Sequence, residues 1–149
     1  MSAALPSGGP PPHWPAGIRP ATWRAGDAPG VHAVLVAAYR DGGGAVGSFA
    51  EWAPAFTGDA EFDPETCFLA RRDDGAVAGV CLCWSSGFVK DLCVAPDARR
   101  QGLGESLMRT ALEVFRARGR DEVRLKVEAS NANAIRLYER LGFVTVAAP

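Results

Sequence analysis

A chain of 149 residues that is 48% hydrophobic, with 16 basic and 17 acidic side chains, has the size and apolar content of one soluble globular domain. Its near-neutral balance lacks the basic excess of a nucleic-acid-binding surface. It contains no apolar run near the ~20 residues of a membrane span and no basic segment leading into an apolar leader core, so neither nucleic acid nor membrane is expected as a partner. The four cysteines, Cys67, Cys81, Cys83 and Cys93, all fall in strand-like stretches. They form no C-x-x-C pair, and both histidines, His13 and His32, lie upstream, so no metal site is expected. They read as buried reduced thiols acting as small apolar residues, which suits the cytoplasm.

In chain order, residues 1 to about 17 are rich in Pro, Gly and Ser and read as a flexible arm ahead of a single domain over 18–149. Ile18 to Thr22 reads as a short edge strand, limited by Pro20. Asp27 to Tyr39 reads as a helix: Asp27 can cap it, Pro29 suits its first turn, and Val31, Val34, Leu35 and Ala38 share a face. The glycines at 42–44 end it, and a weaker helix near Ser48 to Phe56 is interrupted by Pro54. Cys67 to Arg71 and Val77 to Trp84 form a predicted hairpin through Asp73-Asp74-Gly75, and Phe88 to Val94 follows as a third strand. A long helix over Leu103 to Arg118 buries Leu103, Leu107, Ala111, Val114 and Phe115 and stops at Gly119. Val123 to Ala129 alternates as a strand with one buried face. A last helix, Asn133 to Leu141, carries the stripe Ala134, Leu137, Tyr138 and Leu141, and Phe143 to Val146 reads as a terminal strand. The expected fold is α/β, a central mixed and mostly antiparallel sheet flanked by helices.

The segment most suggestive of chemistry is Arg99-Arg100-Gln101-Gly102-Leu103-Gly104, between a strand and a helix. Its glycines let backbone approach a ligand closely. The helix start presents unpaired N–H groups and a positive dipole end, and two arginines stand beside it, so the loop reads as an anion site. It is not a Walker A loop, because Gly104 leads into Glu105-Ser106, and it is not a dinucleotide fingerprint, because Leu107 replaces the third glycine.

The run Leu92 to Gly104, with Val94 and Pro96 ahead of the glycine loop, resembles the strand-and-loop motif of the GNAT superfamily of N-acetyltransferases. Asn131-Ala132-Asn133-Ala134-Ile135-Arg136-Leu137-Tyr138-Glu139-Arg140-Leu141-Gly142-Phe143 resembles its second motif, in the family's order. The similarity covers about residues 88–146; upstream, Phe56 to Ala70, especially Glu61-Phe62-Asp63-Pro64, loosely resembles mycothiol synthase and its relatives. The resemblance implies an acetyl-CoA cosubstrate and no metal. Backbone amides of Arg99, Arg100, Gln101, Gly102, Leu103, Gly104 and Glu105 would bind its pyrophosphate. The strand backbone at Leu92, Cys93 and Val94, splayed from its neighbour, would pair with the pantetheine arm. One N–H there would polarise the thioester carbonyl. Asn131 matches the cofactor-contacting asparagine and is equally a helix N-cap.

The resemblance also assigns Tyr138 as the acid for the departing thiolate. For the base that deprotonates the amine, Asp91 stands first, Glu128 second, and water is the third course. Lys90 stands where several relatives carry an acid. Cys93 offers an acyl-cysteine route, although direct attack is the family's habit. A non-catalytic acyl-CoA sensor or interaction module is the alternative to an enzyme. The acceptor is the amine of a small molecule, peptide or protein. Acids at Asp41, Glu51, Asp59, Glu61 and Asp63 favour a cationic acceptor or are merely solvated. Relatives often carry a further strand after the last one here, so this edge is expected to stand open or to be covered by a partner chain, as in a homodimer.

Overall fold

A computed structural model of the chain describes residues 1–4, 10–40 and 45–146. Its elements are β1 (Ser2–Ala4), β2 (Ile18–Thr22), α1 (Ala28–Tyr39), α2 (Phe49–Thr57), β3 (Cys67–Arg72), β4 (Val77–Trp84), β5 (Phe88–Val94), α3 (Leu103–Ala117), β6 (Glu122–Leu125) and α4 (Ala132–Arg140). Short 3-10 turns at Pro64–Thr66 and Pro96–Ala98 precede β3 and α3. The strands form one sheet in the order β1-β6-β5-β4-β3-β2. Among the described residues only β5 and β6 are parallel; every other neighbouring pair is antiparallel.

The near-continuous apolar runs of β3 and β4 lie inside the sheet, away from its edges and covered on both faces. On one face α3 buries Leu103, Leu107, Met108, Ala111 and Phe115 against Phe68, Cys81, Cys83 and Val89, joined by Tyr138 and Phe143. On the other, Val31, Val34 and Leu35 of α1 and Trp52 and Phe56 of α2 pack on Leu69, Val80, Leu82 and Cys93. Pro54 does not end α2, which runs on to Thr57 with Trp52 and Phe56 holding its buried side. The glycines at 42–44, expected to end α1, lie outside the described residues.

Asp27 departs from its expected capping role: its side chain accepts no bond from an α1 amide. Its carboxylate instead takes two bonds from the Arg71 guanidinium, at 3.0 and 2.9 Å, and one from the Arg24 N–H at 2.9 Å. Both partners are buried, and a buried guanidinium needs a counter-charge more than a helix end needs a cap. This pair pins the start of α1 to β3.

The arm also departs from expectation. Ser2, Ala3 and Ala4 pair with Arg124, Val123 and Glu122 of β6, and Ala3 is buried. On its other side Ser2 exchanges two backbone bonds with Val144, at 2.9 and 2.8 Å. Farther along, the Ser106 hydroxyl bonds the His13 carbonyl, and Trp14 packs against the core; residues 5–9 lie outside the described residues. Composition judged side-chain burial, whereas the edge of β6 offered backbone N–H and C=O groups in need of partners. The edge expected to stand open or to take a partner chain is thus covered by the chain's own β1. The terminal strand expected over 143–146 is reduced to the single bridge at Val144. The strand expected over 123–129 stops at Leu125.

Candidate active site

The site begins with an irregularity in β5. Leu82 of β4 faces Asp91 and Cys83 faces Val89, so Lys90 is an extra, unmatched residue: a β-bulge. In a regular strand, residues two apart share a face. Here Val89 lies on the α3 side, while Cys93 packs among α1 and α2 residues and Asp91 reaches α1. The bulge also marks the point where β5 leaves β6. The two pair at Phe88 with Arg124 and Val89 with Leu125, and beyond that the backbone of Leu92, Cys93 and Val94 pairs only with Cys81, Val80 and Gly79 of β4 among the described residues.

The gap between the diverging strands is a cleft of about 970 Å³. Leu92 of β5, Val127 and Glu128 beyond β6, Asn131 and Tyr138 of the α4 region, and Tyr39 at the end of α1 all form its wall. Tyr138 is 8% exposed, with its ring 5.7 Å from that of Phe143. Burial, and then the neighbouring Cys81 and Cys93, push its phenol well above the usual tyrosine range, so it stays protonated and able to donate. The Asn131 side chain caps α4, accepting from the Ala134 N–H at 3.2 Å, while the residue also borders the cleft.

Asp91 is buried and does not border the cleft itself. One carboxylate oxygen accepts the Tyr39 hydroxyl at 2.5 Å, and the other accepts Lys90 Nζ at 3.0 Å. Glu128 is exposed on the cleft wall. Cys93 is buried, lines no cavity here, and has its thiol pushed up to about 11 by burial, against a lowering hydrogen bond from Tyr39. At neutral pH it holds its proton and is a poor nucleophile.

A second cavity of about 250 Å³ lies against the start of α3, bordered by Arg99, Arg100, Gly102, Leu103, Gly104 and Glu105 with Asn133, Leu137 and Arg140 of α4. Gly102 (φ 76°) and Arg100 (φ 65°) both adopt left-handed backbone, which Gly102 tolerates freely and Arg100 does not. Gly104 has an ordinary φ, and a Cβ there would make an ordinary contact, 3.5 Å from Leu137 Cδ2. The Ser106 N–H makes the first backbone bond of the helix, to Gly102, leaving the amides of Leu103, Gly104 and Glu105 without helical acceptors. The Glu105 carboxylate is held below its usual range by Arg140 and Arg109, each at 3.2 Å, so it does not oppose an anion at these amides with a free charge. Free amides, a left-handed glycine and two exposed arginines fit a pyrophosphate. Gln101 is exposed and borders neither cavity.

Among the described residues, none of the acids expected to attract a cationic acceptor borders the cleft. Glu51 caps α2 with Ser48, Asp59 takes the Glu61 N–H, and Asp63 is bound by Arg118 at 2.8 Å; Asp41 lies outside the described residues. Sequence reasoning missed Tyr39, whose only sequence signal was its position ending an amphipathic helix. Arg100 was expected in the loop, but its left-handed backbone was not.

Comparison with known proteins agrees with this geometry. Residues 23–143 match the acetyltransferase (GNAT) family. The chain is 43% identical over 96 residues to a mycothiol acetyltransferase of Beutenbergia cavernae, an alignment covering 60% of this chain and 32% of that protein. It is 35% identical over 89 residues to human N-alpha-acetyltransferase 30, covering 54% of this chain and 24% of that one. A GCN5-related N-acetyltransferase from Sphaerobacter thermophilus superposes with a TM-score of 0.81 at 29% identity, over 95% of this chain and 45% of that one. The chain spans about a third of the length of the mycothiol acetyltransferases it matches.

Proposed function

Since this chain belongs to the GNAT acetyltransferase family, we propose that it transfers the acetyl group of acetyl-CoA to an amine by direct attack in a ternary complex. The observation that carries the reading is the continuity of two features: the anion cradle at the start of α3 and the cleft opened where β5 leaves β6. Both abut the segment from Leu92 to Glu105.

Bound acetyl-CoA supplies an acetyl thioester, and the chain's own groups do the rest. The amides of Leu103, Gly104 and Glu105 and the guanidinium groups of Arg99 and Arg100 hold the pyrophosphate. The unpaired side of β5 at Leu92, Cys93 and Val94 pairs with the pantetheine arm as an added strand would, and an N–H there stabilises negative charge on the carbonyl oxygen. Asn131 steadies the cosubstrate near the helix it caps. Tyr138 donates a proton to the departing sulfur. The amine gives up its proton to Asp91, which lies behind the cleft wall, with Glu128 the acid that borders the cleft itself. The buried Cys93 thiol favours direct transfer over an acyl-cysteine.

Relatives named for mycothiol and for N-alpha acetylation support an amine acceptor on either a small molecule or a peptide end. Four buried, unbridged cysteines support a reducing cytoplasmic setting.

The reading is tested by heating the protein with coenzyme A and by following thiol release from acetyl-CoA across a panel of amines. At about 100 times Kd a ligand specific to the native state adds about 2.7 kcal/mol, a rise of roughly 5–10 °C for a chain of this length. Folded protein that shows no shift at millimolar acetyl-CoA refutes the reading.

A further inference from the structure

We propose that Tyr39 relays the acceptor's proton to Asp91: the amine meets the Tyr39 hydroxyl, and the buried carboxylate behind it receives the charge. This deepens the acetyltransferase reading and rests on it.

The geometry leads there in steps. The bulge at Lys90 places Asp91 on the α1 side of the sheet, where its carboxylate is 7% exposed and separated from the cleft. What borders the cleft in its place is Tyr39, which donates its hydroxyl proton to Asp91 at 2.5 Å. A phenol whose proton is committed inward keeps oxygen lone pairs free to accept an N–H from the cleft. The groups facing this pair are Lys90 and Cys93 of β5 and Cys83 of β4, while α2 turns Trp52 and Phe56 inward. Lys126, Glu128 and Tyr138 border the same cleft. Burial, with the Asp91 charge behind it, raises the Tyr39 phenol far above its ordinary value. Tyr39 therefore passes a proton along without resting as a phenolate.

The proton count closes. As the ammonium N–H proton moves to Tyr39 Oη, the original Tyr39 proton moves to Asp91 Oδ1. Ammonium and carboxylate become amine and carboxylic acid, and Tyr39 is unchanged. The amine lone pair then forms the N–C bond, the C–S bond breaks, the departing sulfur takes the Tyr138 proton, and the second nitrogen proton passes through solvent to the Tyr138 oxygen, restoring its phenol. Asp91 later returns its proton to solvent. Nothing is oxidised or reduced.

The test compares the parent protein, Tyr39→Phe, Asp91→Asn and the double variant in kcat/KM against pH, with an acceptor the parent acetylates. Coenzyme A affinity and Tm are measured in parallel. Tyr39→Phe keeps the ring and should lose about 10²-fold near pH 7. The loss should shrink as pH rises through the acceptor amine's own pKa, where the nucleophile is already neutral. The double variant should lose no more than Asp91→Asn alone, as two members of one relay must. Coenzyme A affinity should stay within about twofold of the parent. A loss equal at every pH, an unchanged rate, or additive losses would overturn the relay, and Asp91→Asn carries the pH test should Tyr39→Phe fold poorly. A parent that neither binds coenzyme A nor releases thiol defeats the acetyltransferase reading itself; a parent that turns over while Tyr39→Phe keeps its profile defeats the relay alone.

Discussion

Replacing Tyr138 by Phe removes one oxygen from the cleft wall and leaves the ring in place. The residue is 8% exposed, and its contact with Phe143 is between the two rings. Tm should move by less than about 3 °C, and coenzyme A affinity by less than about twofold. The catalytic effect should be larger. A positioned acid contributes about 10²–10⁴ in rate, but a thiolate leaves readily without help, so kcat should fall between roughly tenfold and a few hundredfold. That range corresponds to about 1.4–3.4 kcal/mol, about what a hydrogen bond to a developing anion supplies. Because burial raises the phenol's pKa, the neutral donor persists through pH 6–9, and the ratio of parent to variant should be flat across that range. The assay is steady-state thiol release under conditions where chemistry limits turnover, with coenzyme A binding measured separately. An unchanged kcat would remove Tyr138 from proton transfer, and lost binding with unchanged chemistry would assign it to holding the cosubstrate. Tyr138→Ala is less informative, since it opens a cavity costing about 3–5 kcal/mol.

Two further outcomes follow from the backbone and the buried charges. Gly102→Val forces a β-branched residue into φ 76° while its Cβ meets open space, so Tm should drop by a few degrees and coenzyme A Kd should rise at least about tenfold by calorimetry; parental affinity would refute the anion cradle. Asp27→Ala strands a buried guanidinium that already has an unpartnered Nε. Its cost of about 3–5 kcal/mol, spread over an unfolding entropy of about 2.1 cal/mol/K per residue, lowers Tm by roughly 10–16 °C, and a change under 3 °C would show the pair to be dispensable.

What the sequence discloses here depends on whether its signal is local. The stripe of α3 and the turn at Gly119 are local, and the helix ends within one residue of expectation, at Ala117. The glycine loop is legible for the same reason: the residues of the cradle are contiguous. The contact between Tyr39 and Asp91 joins positions 52 residues apart. It depends on one unmatched residue in β5, and nothing in the composition of Phe88–Val94 announces a bulge. Alternation after Val123 overextended β6 because side-chain pattern continues through Val127, whereas β1 and β5 reach only as far as Leu125. The strand at Ser2–Ala4 escaped notice because its stability comes from a vacant sheet edge across the fold rather than from its own residues.

The bulge at Lys90 also changes how variation in this strand should be weighed. From Asp91 onward, the side of the sheet a residue addresses is the reverse of what its count from Val89 alone would give, because one residue of that count is unmatched. A substitution at Lys90 alters one exposed side chain and leaves that count intact. Deleting Lys90 would remove the bulge and leave Val89 opposite Cys83 and Asp91 opposite Leu82, so every position up to Val94 would keep its side of the sheet. A single-residue gap at Lys90 is therefore a change that keeps the strand's two faces, whereas an alignment that slides that gap past Lys90 would equate residues lying on opposite sides of the sheet.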